Sequence, residues 1–190
     1  MAITVNSKKK QVKKTFQELI NDLMTSSSEK VRYNAARVLG EMGDSKAVEP
    51  LIDVLKNDKN GSVRLYAARA LGELGDSKAT EHLIESLRED RNVDVRVRAA
   101  RALGRLGGKI VVEPLVEALN DENSQVCITA TDALIEIGDV ATDALNLLIT
   151  KKLMSDAMLL VLWAKSAIKN ALIKLLICYM TNGLTLEFMQ

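Results

Sequence analysis

An internal repeat that carries Val31 onto Val63 and Val63 onto Val95 constrains this chain more than any other feature. Three stretches align without gaps: VRYNAARVLGEMGDSKAVEPLIDVL from Val31 to Leu55, VRLYAARALGELGDSKATEHLIESL from Val63 to Leu87, and VRVRAARALGRLGGKIVVEPLVEAL from Val95 to Leu119. A more divergent fourth copy, VCITATDALIEIGDVATDALNLLI from Val126 to Ile149, follows at a step one position shorter and keeps Val126, Ala130, Ala133, Leu134, Ile137 and Gly138. A period of this kind marks units that cannot bury their apolar faces alone and must stack to share one core. Moving back by one full step from Leu51, Ile52 and Leu55 lands on Leu19, Ile20 and Leu23, so the chain opens on half a repeat.

Each copy reads as two helices. Val31, Ala35, Val38, Leu39 and Met42 recur at helical spacing, and Val48, Leu51, Ile52 and Leu55 do so again after Gly43-Asp44-Ser45. Glycine just past a helix end takes the left-handed conformation that closes it, and Asp or Ser beyond accepts from the free amides that open the next helix. Gly75-Asp76-Ser77 and Gly138-Asp139 repeat the device, while Pro50 and Pro114 sit early in second helices, where a missing amide hydrogen costs least. The alanine pairs 35–36, 67–68 and 99–100 permit close helix approach. With 47% apolar but only 3% aromatic residues, the core must be aliphatic.

These residues carry a resemblance. The pattern VRxxAAxALGxxGDxxAxxPLxxxL resembles the short HEAT-like repeat of the phycobilisome-lyase type, over roughly Gln11 to Thr150. It implies an all-α fold: a right-handed α-solenoid of about four to five two-helix HEAT-like repeats, with an N-terminal half-repeat cap and a C-terminal helical cap. The organisation expected is a flexible basic N-terminus over 1–10, and a solenoid over 11–150 with half-repeat 11–27 and repeats 28–58, 59–90, 91–121 and 122–150. A C-terminal cap or degenerate fifth repeat over 151–182 and a tail over 183–190 complete it. The apolar stretch 156–180 reads as a capping repeat, a partner or self-association helix, or a membrane-surface helix. Lys165, Lys169 and Lys174 interrupt it and argue against a membrane span.

Chemistry has little to work with. His82 is the only histidine, at the register of Pro50 and Pro114, so a multi-histidine metal site is excluded and a first-turn surface residue expected. The HEAT-like hydroxylases bind iron through repeated His-Glu dipeptides, and this sequence has only Glu81-His82 in the opposite order. Cys127 and Cys178 lack CxxC spacing and fit buried reduced thiols in a cytoplasmic protein. No glycine pattern forms a phosphate loop. Catalytic residues, metal ligands and cofactors are therefore expected to be none.

Charge offers more. The net charge is +1, but residues 1–30 and 150–190 each carry +3 while 31–149 carry −5. In the second helices Glu49 and Asp53, Glu81 and Glu85, and Glu113 and Glu117 form i, i+4 pairs that recur at the repeat step, in a phase pointing away from the core. In HEAT-type solenoids the second helices line the concave face, so the resemblance implies an acidic ladder there, facing a protein or peptide with a basic surface. The competing reading is an ordinary solvated face copied by duplication. A second register, Arg32, Arg64 and Arg96 with Arg37, Arg69 and Arg101, lies on the first helices. It serves either to fork onto Asp44, Asp76 or acids of the next repeat, or as a convex basic surface. Tyr33 and Tyr66 stand at non-equivalent positions, which gives no regular stacking platform for nucleic acid.

Three functions follow. The first is a non-enzymatic protein-interaction scaffold with an acidic groove. The second, implied by resemblance alone, is a lyase or chaperone-like maturation factor of the chromophore-lyase HEAT type. The third is a DNA-binding HEAT-like protein, disfavoured because backbone recognition needs a positive groove. Nucleic-acid and membrane partners are accordingly not expected.

Overall fold

The computed structural model describes residues 14–143. The expectations for 1–10, for the cap over 151–182 with its stretch 156–180, for the tail 183–190 and for Cys178 lie outside these residues. Among the described residues there is no strand, and the helices are α1 (Phe16–Thr25), α2 (Glu29–Met42), α3 (Val48–Asn57), α4 (Gly61–Leu74), α5 (Thr80–Glu89), α6 (Val93–Leu106), α7 (Val112–Glu117) and α8 (Ser124–Ile137). Short 3-10 turns at Ser45–Ala47, Ser77–Ala79 and Lys109–Val111 lead into α3, α5 and α7.

The punctuation works as the residue types dictate. Gly43 and Gly75 close α2 and α4 with φ of 70° and 69°, a conformation that costs a residue with a Cβ. Asp44 and Asp76 then accept from the amides of Lys46 and Lys78 at 3.0 and 2.9 Å. At the other turn of each repeat Asn60, Asn92 and Asn123 cap α4, α6 and α8, each accepting the amide two residues on at 2.8–2.9 Å. Thr15 and Glu18 close a reciprocal capping box at the start of α1.

The helices form two layers. In one, α2, α4, α6 and α8 stack closely side by side; in the other, α3 meets α5 and α5 meets α7 only sparsely. Each helix of the loose layer packs instead on the helix that follows it in the close layer, α1 on α2, α3 on α4 and α5 on α6. The packing unit therefore straddles the aligned sequence copies.

Glycine and alanine set the close spacing. A Cβ placed on Gly40 would stand 2.8 Å from the Cβ of Ala70, on Gly72 2.7 Å from that of Ala102, and on Gly104 2.8 Å from that of Ala133. Backbones this near need a glycine at each of the three contacts. The core lies between the layers and is built of leucine: Leu23, Leu39, Leu51, Leu55, Leu71, Leu83, Leu103, Leu115 and Leu119 are all fully buried.

Unequal spacing bends a stack toward its closer layer, so α2, α4, α6 and α8 lie on the inside of the bend and α3, α5 and α7 on the outside. This differs from the expectation that the second helices line the concave face. The physical reason lies in the first helices, where glycine set against alanine lets neighbours approach closely, whereas α3, α5 and α7 contain no glycine.

Candidate functional site

The six carboxylates project from the outer layer. Glu49, Asp53, Glu81, Glu85, Glu113 and Glu117 are all exposed, in the same register on α3, α5 and α7. Two of them meet a cation across a repeat boundary: Glu49 stands 3.8 Å from Lys78 and Glu117 2.7 Å from Arg88. Asp53 accepts from Asn57 at 2.7 Å, and Glu85 lies 3.9 Å from His82 Nδ1. His82 itself is half-buried in the first turn of α5, more enclosed than a surface residue. The rows are thus partly neutralised within the chain, with Asp53, Glu81 and Glu113 free of any cation within 4.0 Å among the described residues.

The arginines divide into two sets with different work. Arg32, Arg64 and Arg96 are structural. Arg64 donates from Nε and Nη2 to the two oxygens of Asp90, both at 2.7 Å, and from Nη1 to the Asp58 carbonyl at 2.8 Å. Arg32 grips Asp58 at 2.6 and 3.0 Å, and Arg96 grips Asp121 at 2.8 and 2.9 Å while reaching the Asp90 carbonyl at 3.0 Å. Each aspartate also accepts a backbone amide two residues on, at 2.8 Å.

The result is a continuous chain of clamps, Arg32–Asp58–Arg64–Asp90–Arg96–Asp121, tying each repeat to the next. Both members of each pair are largely buried, which makes these bidentate bonds costly to break. Of the acids expected to hold the arginines, Asp44 and Asp76 are not used and the acids opening the next repeat are. The clamping aspartates escaped the sequence reading although a signal exists, since Asp58, Asp90 and Asp121 each stand six residues before Arg64, Arg96 and Cys127. These three arginines therefore contribute little to an open basic surface, and they lie on the inner layer rather than a convex one.

Burial pushes the Asp58 carboxyl up, but the Arg32 hydrogen bonds, the Asn60 amide and the charges of Arg32 and Arg64 outweigh it and hold the group below the ordinary aspartate value. Asp121 is depressed in the same way, burial opposed and overcome by Arg96 and the Asn123 amide. At the fourth copy Cys127 occupies the arginine register. Its thiol is half-buried rather than buried, donates to the Asp121 carbonyl at 3.2 Å, and is pushed up by burial and then by the Asp121 charge.

The second arginine set lies on the inner face. Arg37 pairs with Glu41 at 2.6 Å and Arg69 with Glu73 at 2.8 Å, each one turn along its helix. Arg101 is exposed, and the residue one turn on is Arg105. Tyr33 and Tyr66, despite their non-equivalent registers, stack across α2 and α4 with centroids 5.2 Å apart and planes 20° apart. Among the described residues no group of three or more His, Cys, Asp and Glu side chains could hold a metal ion, and no helix is long and apolar enough to cross a membrane.

The profile of HEAT repeats matches residues 16–92 and 80–152, most of the chain. The chain belongs to the HEAT-repeat family. The fold read from the helices and the family agree on an all-α solenoid. No curated protein is matched. Among solved structures, the chain is similar to the complex of CpcE and CpcF of phycocyanin lyase from Nostoc sp. PCC7120, with a TM-score of 0.65 and 26% identity, covering 97% of this chain and 71% of that one. That neighbour is a lyase whose chains assemble with one another.

Proposed function

We propose that this HEAT-repeat chain is a non-enzymatic interaction scaffold, and that the exposed carboxylates of α3, α5 and α7 recognise a basic surface on a protein partner. One observation carries the reading: six carboxylates share one register on three successive helices and all face solvent. Like charges one turn apart destabilise a helix by about 0.2–0.5 kcal/mol per pair. A partner's cations would remove that repulsion on binding, and attraction of this kind speeds encounter and weakens with salt. The outer layer, where helices stand apart, leaves these side chains reachable. A reducing, cytoplasmic setting suits the free thiol of Cys127.

The test is capture from a native lysate at low salt, comparing the wild type with a variant carrying Glu→Lys at 49, 81, 85, 113 and 117 and Asp53→Lys. A protein retained by the wild type alone, and released by added salt, supports the reading. Equal retention by both removes the carboxylates from recognition.

A second reading, a maturation factor of the chromophore-lyase type, is favoured by the likeness to the phycocyanin lyase complex. It predicts a change in the absorption spectrum of a bilin or haem on mixing with the protein. An unchanged spectrum disposes of it.

A further inference from the structure

We infer that the face of α6 carrying Arg98, Arg101 and Arg105 is a docking site for an acidic polypeptide segment. The inference rests on the reading of this chain as a protein-binding scaffold, but it concerns a different surface and the opposite charge.

The three arginines stand at i, i+3 and i+7, one stripe of an α-helix. Arg101 and Arg105 are exposed, Arg98 is half-buried, and the helix presents only one other exposed residue, Asp94, at its opening turn. Among the described residues no carboxylate oxygen comes within 4.0 Å of any of the three, whereas every other arginine of the close layer is clamped or paired. Because α6 lies between α4 and α8 on the inside of the bend, the stripe faces the concave side.

Near-identical copies make the divergence informative. Where α6 carries Arg98, the first two copies carry Asn34 and Tyr66; where it carries Arg105, they carry Glu41 and Glu73. Those glutamates close the ion pairs with Arg37 and Arg69, so the third copy has replaced the intrahelical acid with a second arginine and left Arg101 facing a like charge. Burial and then the charges of Arg101, Arg69 and Arg105 hold Arg98 below the ordinary arginine value, so these cations crowd one another in the free protein.

An incoming carboxylate relieves that repulsion and accepts from guanidinium forks built for bidentate donation. The width of the patch selects the partner. Glu41 and Glu73 bound it on one side, and on α8 Asp132 and Glu136 take the registers of Arg101 and Arg105 on the other. The positive surface is thus about one helix wide, roughly 10 Å. A phosphate backbone needs a longer basic track, and these flanking acids repel it. A polypeptide with two or three acidic side chains matches the stripe.

The experiment uses the full chain and fluorescein-labelled octaglutamate, with octalysine and an oligothymidylate strand as further probes, by fluorescence anisotropy at low and high salt. The variant Arg98→Tyr with Arg105→Glu restores residues that the second copy already accommodates. The pair Lys46→Glu with Lys109→Gln changes net charge equally at exposed sites elsewhere. Octaglutamate is expected to bind the wild type at low salt, to be released by salt, and to bind the α6 variant about tenfold more weakly, with the control pair unchanged. Absent binding, equal weakening in the control pair, or displacement of octaglutamate by the oligothymidylate through the same arginines would overturn the inference. Octalysine binding that depends on the six outer carboxylates reports separately on the scaffold reading, so either can fail alone.

Discussion

Removing one aspartate from the clamp chain gives the most demanding test of how the repeats hold together. In Asp90→Ala the Arg64 guanidinium loses both 2.7 Å bonds and keeps only the Asp58 carbonyl, while the Asn92 amide loses its 2.8 Å acceptor. The side chain of Arg64 is only 16% exposed, so water cannot replace those partners freely. An uncompensated buried charge of this kind costs about 3–5 kcal/mol, a large share of a total stability of about 5–15 kcal/mol. With a urea slope of about 2 kcal/mol/M, the unfolding midpoint followed by circular dichroism falls by about 2 M.

Arg64→Met alone should cost a similar amount, because it strands the Asp90 carboxylate. The double variant should recover much of that loss but not all of it, since no buried charge is left unpaired while the Asn92 amide still lacks its acceptor. If Asp90→Ala lowers stability by less than about 1 kcal/mol, or the two single effects simply add, the clamps are ornaments and the stack is held by leucine alone.

Gly72→Ala should destabilise by about 1–3 kcal/mol despite a helix-propensity gain of about 1 kcal/mol, because the new Cβ falls 2.7 Å from the Cβ of Ala102; adding Ala102→Gly should restore much of it in the same urea titration. The folded carboxyls of Asp58 and Asp121 titrate below their unfolded value of about 3.9, so their contribution is complete above that pH and is lost as pH falls through the lower folded values. Urea midpoints should therefore drop on acidification below about pH 4, and Asp58→Asn with Asp121→Asn should lower stability at neutral pH and flatten that acid slope. Cys127, with its thiol raised by burial and by Asp121, should alkylate with iodoacetamide at about pH 8 many-fold more slowly in the native chain than in urea, as read by mass spectrometry.

Much of the fold was legible because the copies repeat local rules. Gly43 and Gly75 end helices, Asp44 and Asp76 open the next turns, and the leucines recur at helical spacing, all decided within a few residues. The curvature was not legible in the same way. It depends on how closely neighbouring helices approach, and that rests on pairs such as Gly40 with Ala70, distant in sequence, which become meaningful only when the stack is assembled. The arginine and aspartate registers were both visible as repeats, yet which acid each arginine grips depends on a contact made between one repeat and the next. The acidic rows were found by their period and phase, whereas the α6 stripe is a break in that period: Arg98 and Arg105 stand out once the ion pairs of the first two copies are seen.

Both proposed surfaces depend on which layer lies inside the bend, and one distance comparison tests it. Spin labels at Glu41 and Arg105 span two repeats along the close layer, and labels at Asp53 and Glu117 span the same two repeats along the loose one, all four positions being exposed. Pulsed dipolar spectroscopy should return a shorter distance for the pair at 41 and 105 than for the pair at 53 and 117. Equal distances would contradict the bend, and the reverse order would return the six carboxylates to a concave face.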